Sequence, residues 1–502
     1  MSSTTFDMAS LLPQVPDLSS PAAVASFLQL ESVALLLLSI AVLSLAYNTL
    51  LTSDYTQAYS PESSDVSPPA AAAETTSLPT ISKTAATAED RQLIAMDGLW
   101  YDVTTFKKVH PGGSVIDRFI GVDATCSFYG MHVDPYAILA KRKPVGKVDW
   151  TDFPDATRRQ KINREYLELH RKFRDMGFFQ PTWKMQARYI GGLAVHIAIT
   201  VAAFVLFPKN WLVNGIMVGM ILNTSGFLTH DSAHNVMDPK RRKHVNHNLA
   251  WLFGNVGLGV NSTWWREEHD VHHAVPNTFT VEEASIDPQM LEDVWVQSER
   301  LFQFFNPAIF KHILQFQHIY LLPICLFIGR TGIMIDCYRL ERRPRELFGL
   351  VCHISWLVGI MSLATNPFLT YAVAQSFQGL LSLQLISNHY HKPWKELAES
   401  VDDTSFAERQ IEVNTNISCH PVNDWFFGGL HFHNEHHFFP KMGREYLRVV
   451  SKDLRKYCDE NELPYASDSF GTVLGHVVMH FKHMGKLYTE TAKKAALDLK
   501  SE

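Results

Sequence analysis

The first 82 residues contain neither Lys nor Arg; the first basic residue is Lys83. That absence excludes an Arg-rich mitochondrial transit peptide and the basic n-region of a standard signal peptide. Cysteine is scarce and scattered. Cys126, Cys325, Cys337, Cys352, Cys419 and Cys458 form no C-x-x-C pair, which argues against a structural zinc site or a disulfide framework and fits a reducing compartment. Positive charge is not in excess either. A net charge of −6 implies no global attraction to nucleic acid. No nucleotide-binding motif is present, so the chain has no means of its own to take electrons from a nicotinamide nucleotide.

Long uncharged runs are present. Residues 33–51 (VALLLLSIAVLSLAYNTLL) are free of charge and long enough to span about 30 Å of hydrocarbon. They read as an N-terminal anchor, with a cleaved targeting segment as the alternative. The Ser/Thr/Pro/Ala-rich stretch up to residue 88 cannot bury a core and reads as a flexible linker, giving a first region of 1–88. Residues 151–188 are polar and helix-prone, an amphipathic connector near a membrane surface. Two uncharged stretches follow, 189–207 and 211–229, joined by Pro208-Lys209-Asn210; so short a link makes them an antiparallel hairpin. The basic run Lys240 to Lys243 and the later Arg339 to Arg345 both belong on the cytosolic side. Residues 251–260 are apolar but too short to span, and read as interfacial or re-entrant. If residues 319–328 lie in the interface, 347–366 and 369–388 form a second hairpin turning at Asn366-Pro367. The expectation is therefore four core spans, with a polar cytosolic cap from residue 389 to the end and a basic amphipathic tail.

Histidine is the conspicuous feature, at 24 of 502 residues. His433, His436 and His437 repeat the H-x-x-H-H spacing of His269, His272 and His273, and His230 and His234 form an H-x-x-x-H pair. On helices these spacings put imidazoles on shared faces. Each cluster falls at an expected cytosolic boundary, where an unsatisfied buried polar group costs roughly 1–3 kcal/mol. Convergence on metal removes that cost. All-nitrogen ligation suits iron, zinc or copper, and eight ligands are too many for one ion and natural for two.

Between residues 89 and 150 lies a small domain with Leu99 to Phe106 (LWYDVTTF), His110-Pro111-Gly112-Gly113, Asp123-Ala124-Thr125 and His132 in order. Glycines after His110 let the backbone approach something bulky and flat, and two neutral histidines are natural axial ligands of a haem iron. This segment resembles the cytochrome b5 family, which implies a small α+β fold, His110 and His132 as axial ligands of haem b, and one-electron transfer. An attached electron carrier makes two zinc ions and hydrolysis a poor account of the histidines, and redox-active iron with O2 a good one.

The order H-x-x-x-H, H-x-x-H-H, [H/Q]-x-x-H-H on a four-span core is similar to the integral-membrane fatty acyl desaturases. With the haem domain and Gly428 to Pro440 (GGLHFHNEHHFFP), it is similar to their front-end members. The resemblance covers roughly residues 89–447. It implies a multi-domain membrane protein in which a haem domain precedes an all-α desaturase region, 189–502, capped on the cytosolic side by the histidine-rich segments. It implies a di-iron centre held by His230, His234, His269, His272, His273, His433, His436 and His437. His389 matches a position where wider relatives supply another ligand; the other reading of it is a surface histidine. His244, His247, His391 and His431 lack box spacing and read as structural or solvated. The implied reaction is O2-dependent insertion of a cis double bond into a polyunsaturated fatty acyl chain, carried on CoA or phospholipid, at the endoplasmic reticulum. Electrons would come from a separate NADH–cytochrome b5 reductase. The third box departs from the front-end pattern, which usually has Gln where this chain has His433. Rival readings are a sphingolipid long-chain-base desaturase or fatty acyl hydroxylase on the same scaffold, and a non-catalytic membrane haem carrier.

Overall fold

The computed structural model describes residues 30–47, 77–281, 285–289 and 294–501. The chain begins there with helix α1, Leu30–Tyr47. It overlaps the expected anchor, whose residues 48–51 lie outside the described ones.

The small domain is built on five short strands: β1 (Thr80–Ile81), β2 (Thr87–Ala88), β3 (Arg91–Met96), β4 (Leu99–Asp102) and β5 (Gly146–Val148). Their order is β1-β5-β4-β3-β2, with β1 parallel to β5 and the other pairs antiparallel. Asp97-Gly98 makes the two-residue turn between β3 and β4, both residues at positive φ (52° and 74°), the combination that matches strand twist. Trp100 is fully buried and donates its indole N–H to the Ile81 carbonyl at 2.9 Å. Thus the sheet takes in residues 80–88, which composition assigned to the linker; Ile81 alone carries the apolar signal in a Ser/Thr/Ala-rich background. Helix α2, Thr125–Met131, starts where Asp123 Oδ1 accepts from the Thr125 backbone N–H (3.1 Å) and hydroxyl (2.6 Å).

Helix α3, Ala156–Asp175, buries Ile162, Tyr166, Leu167, His170 and Phe173 along one face. The connector therefore packs inside the protein: Tyr166 donates to the Phe438 carbonyl (3.0 Å), and Tyr457 donates to the Ile162 carbonyl (3.1 Å).

Helices α4 (Trp183–Leu206) and α5 (Trp211–Ala233) are long and apolar enough to cross a membrane. α1 lies against α4 so closely that a Cβ on Gly192 would sit 2.6 Å from the Ala46 Cβ. After α5 a short helix and a π-helical turn, Leu252–Leu258, end at Gly259 (φ 87°), and the chain folds back into α6, Ser262–Ala274. The strands β6 (Thr278–Thr280) and β7 (Ser285–Ile286) come next. The third helical run long and apolar enough to cross a membrane, α7, is Leu314–Leu340. It absorbs residues 319–328, expected to be a short interfacial stretch. Pro323 does not end it; the run continues through a π-helical segment, Ile324–Ile328. Helices α8 (Pro344–Met361) and α9 (Pro367–His389) stand where the second hairpin was expected. The Thr365 N–H donates to the Pro208 carbonyl (2.8 Å), so the α4–α5 and α8–α9 turns meet at one end, away from His230 and His389. Gly215 and Gly219 let α5 and α9 approach; Cβ atoms there would meet Val373 and Phe377 Cβ at 2.6 and 2.7 Å.

The last part of the chain is not purely helical, contrary to the all-α expectation. Strand β8 (Lys395–Glu396) joins β6 and β7, and β9 (Asn416–Ser418) pairs in parallel with β10 (Ser467–Ser469). These small sheets tie down loops around the histidines that helices cannot reach. Helix α10 is His433–Phe438, α11 is Arg444–Glu460 and α12 is Phe470–Ser501. α12, expected as a tail, is docked: Gln317 donates to the Phe481 carbonyl (2.8 Å), and Phe481 is fully buried.

Candidate metal centre and haem site

Four elements carry nine buried histidines into two groups. His230 and His234 come from the end of α5, His269, His272 and His273 from α6, His389 from the end of α9, and His433, His436 and His437 from α10. Nitrogens of His230, His234, His269, His273 and His436 lie within 4.8 Å of one another, and so do those of His272, His389, His433 and His437. His389, the added position, is thus in the second group.

In both groups it is the Nε2 atoms that converge. His230 to His436, His436 to His273 and His273 to His269 are each 3.0 Å apart; His269 to His234 is 2.9 Å and His389 to His433 2.7 Å. Nitrogens bound to one ion at about 2.0–2.1 Å and about 90° to each other would stand about 2.9 Å apart, so the spacing fits a shared metal. Six of the outer nitrogens are turned to acceptors, while Nδ1 of His234 and of His273 is buried with no hydrogen-bond partner. Nδ1 of His272 faces Asp287 (2.8 Å), that of His437 Gln410 (2.8 Å), that of His269 Gln289 (3.2 Å) and that of His230 Asp231 (3.3 Å). Nδ1 of His389 and of His433 faces the carbonyls of Val413 (3.0 Å) and Leu430 (3.2 Å). An Nδ1–H donating outward leaves the Nε2 lone pair pointing inward, the tautomer a metal needs. Nε2 of His437 is buried with no hydrogen-bond partner, an inward acceptor with nothing to accept. Burial, reinforced by the other imidazoles, pushes His269, His273, His436 and His437 well below the ordinary histidine pKa, and His433 down to about 3. These five rings are therefore neutral at physiological pH, as ligation requires.

The supports were not legible in the spacing. Asp231 lies inside the first box, and its Oδ2 accepts from Arg444 Nε (2.5 Å). Arg444 also donates to the Gly428 carbonyl (2.7 Å), fastening the start of the third segment. Glu435, inside the third box, accepts from Asn416 (2.8 Å) and Tyr465 (2.5 Å). Asp287, Gln289 and Gln410 stand alone in sequence and carry no motif. Beside His230, His234 and His436 lies a cavity of about 10 Å³, bounded also by Asp231 and Arg444, room for roughly one water.

Of the histidines without box spacing, His431 is buried against Asp424 (3.2 Å), with Arg448 bonded to the same carboxylate; Cys419 completes a small group there. The guanidinium already neutralises that carboxylate. His391 is half-buried, and His244 is exposed.

In the small domain His110 and His132 face each other with ring centroids 6.1 Å apart. Nδ1 of His110 donates to the Gly113 carbonyl (3.2 Å) and Nδ1 of His132 to that of Phe128 (2.9 Å). That leaves both Nε2 atoms as the ring nitrogens that would hold one metal. The domain stands on the third box: a Cβ on Gly130 would lie 3.4 Å from the carbonyl of Phe438, the residue after His437.

Comparison with known proteins agrees with this geometry. Residues 209–469 match the model of the family described as fatty acid desaturase, and residues 80–193 match the cytochrome b5-like heme/steroid binding domain. The chain is 26% identical over 415 residues to an acyl-lipid (9-3)-desaturase of Physcomitrium patens, covering 78% of this chain and 75% of the relative. It is 26% identical over 401 residues to a delta(8)-fatty-acid desaturase of Borago officinalis (75% and 86%). It is also 26% identical over 425 residues to a delta(6)-fatty-acid desaturase of Caenorhabditis elegans (75% and 92%). Histidine groups built from nitrogen alone, a facing histidine pair in a b5-type domain and these matches converge on one assignment: the chain belongs to the fatty acid desaturase family and carries a cytochrome b5-like domain ahead of its desaturase region.

Proposed function

We propose that the protein is a front-end desaturase, inserting a cis double bond between an existing double bond and the carboxyl end of a polyunsaturated fatty acyl chain. The observation that carries it is the pair of inward-facing histidine groups directly beneath a haem domain. His230, His234, His269, His273 and His436 hold one iron, and His272, His389, His433 and His437 hold the other. His110 and His132 hold haem b. With O2, iron there supplies the oxidising power that removes a hydrogen from each of two neighbouring methylenes, two electrons arriving through the haem from an NADH-dependent reductase.

The chain's own residues do the rest. Burial keeps the imidazoles of His269, His273, His433, His436 and His437 unprotonated, so nitrogen lone pairs face the metal positions. Asp287, Gln410 and Gln289 fix the rings of His272, His437 and His269 by their outer N–H groups, so these three are held before any substrate arrives. α5 and α9, which end in His230 and His389, are the apolar elements that bring a fatty acyl chain to the metals. In this reading α4, α5, α8 and α9 are the four core spans and both histidine groups face the cytosol at the endoplasmic reticulum, the side favoured by the basic residues 240–243 and 339–345. The meeting of the two far turns through Thr365 and Pro208 supports this arrangement, and α7 is an added apolar element beside it.

Expression in yeast fed defined polyunsaturated acids, with product profiling, tests the proposal. A new double bond on the carboxyl side of an existing one is expected. Unchanged acids from a protein with an intact haem spectrum would sink it, and a 2-hydroxy acid or a desaturated long-chain base would reassign it.

A further inference from the structure

Next to the haem-domain histidine pair lie the buried Lys441 and the half-buried Arg241, with Asp270 and Asp134 the carboxylates that act on them. Arg241 sits in the left-handed region (φ 51°), where a non-glycine residue stays only because its surroundings hold it. Its guanidinium donates to the carbonyls of Phe179 (2.7 Å), Lys441 (3.1 Å) and Val133 (3.4 Å). Val133 directly follows His132, so Arg241 ties the backbone beside that histidine to the backbone of Lys441. Lys441 is 5% exposed, and its Nζ has no hydrogen-bond or carboxylate partner among the described residues. The charges that reach it are mostly of its own sign, Arg241, Arg266 and Lys243, with Asp270 the opposing carboxylate. The residue before it, Pro440, bounds the cavity beside His230, His234 and His436, and its own carbonyl shares Arg241 with that of Val133, so Lys441 stands between the haem site and the five-histidine group. A buried ammonium without an anion is costly, and such groups are normally paired. Haem carries two propionate carboxylates on one edge of its ring, the chemistry this place lacks.

We propose that Lys441, positioned by Arg241, pairs with a haem propionate and so turns the propionate edge of the haem toward the group of His230, His234 and His436. Lys441 is then a positioning residue that belongs to the desaturase region but acts on the cofactor of the other domain. This rests on the assignment of haem to His110 and His132.

The test uses the purified full-length chain, produced in haem-deficient cells and loaded with haem b or with haem dimethyl ester, whose propionates are uncharged. The readout is the haem midpoint potential by spectroelectrochemistry. A cation beside the propionate favours the reduced haem. With haem b, Lys441→Gln is therefore expected to lower the reduction equilibrium constant about tenfold, a shift of about 59 mV for one electron. Lys441→Arg restores most of it. With the dimethyl ester, which offers no anion to hold the ammonium against the haem edge, the difference between native and Lys441→Gln proteins is expected to shrink severalfold. An equal shift with both haems would overturn the proposal, since Lys441 would then act only as a charge through space; so would no shift with haem b. Should Lys441→Gln fail to accumulate, Lys441→Met removes the charge at similar length and is read in the same way. A native protein that binds no haem would instead sink the haem assignment itself.

Discussion

His272 and His273 are neighbours in sequence and serve different groups, which shows how spacing and geometry part at the scale of single residues. On α6, His269 and His273 are four apart and share a face; His272 points to the side. On α10, His433 and His437 share a face and His436 points away. The boxes account for eight of the nine histidines gathered into the two groups, His389 being the ninth, but the division into five and four depends on how helices face one another, which no single segment encodes. Asp287 was invisible for the same reason: it meets His272 only through the β6–β7 fold. Asp287→Asn should weaken metal binding about 10–100-fold, read as iron retained under chelator competition. His433→Gln replaces an imidazole by a poorer donor in the four-member group. After a chelator challenge it should leave about one iron per chain, with the five-histidine group still loaded, by metal analysis of the purified protein.

At the scale of elements, the hairpin 189–229 was legible because uncharged length and a three-residue turn leave few alternatives. The run 314–340 was not, because Pro323 divides its apolar signal and only the π-helical segment shows that the helix continues. Short strands such as Thr80–Ile81 and Asn416–Ser418 are too brief to show a period of two, and exist because their partners are in place. Close packing of α5 on α9 sets the distance between His230 and His389, so it should be sensitive at Gly219. Gly219→Leu is expected to cost about 1–3 kcal/mol and to lower iron content, measured by thermal unfolding and metal analysis. Gly428 (φ 59°) is constrained twice over, since a Cβ there would lie 2.3 Å from the Phe227 ring. Gly428→Ala should destabilise the fold and loosen the third histidine segment, in the same assays.

At the scale of the whole molecule, α3 joins the two functional units, and His170 sits at the joint. Its ring stacks on Phe179 (4.5 Å between centroids) and pairs with the Tyr136 hydroxyl (3.1 Å). Burial lowers its pKa from 6.5 to about 3, with nearby Arg174 and Arg171 contributing. The folded state thus holds it neutral, while the unfolded chain takes up a proton below about pH 6.5. Its contribution to stability is complete above pH 6.5 and is lost as pH falls toward 3. His170→Phe should flatten the fall in melting temperature between pH 6.5 and pH 4, measured on the full chain. The docking of α1 on α4 has a separate kinetic consequence. The haem domain follows α1, which is docked on α4, and continues through α3 into α4, so it is tied at both ends to the helices that carry the histidine groups. Its encounter with them is intramolecular, at an effective concentration of about millimolar. Dilution should leave the rate of reduction per molecule unchanged, and an added soluble haem carrier should compete poorly.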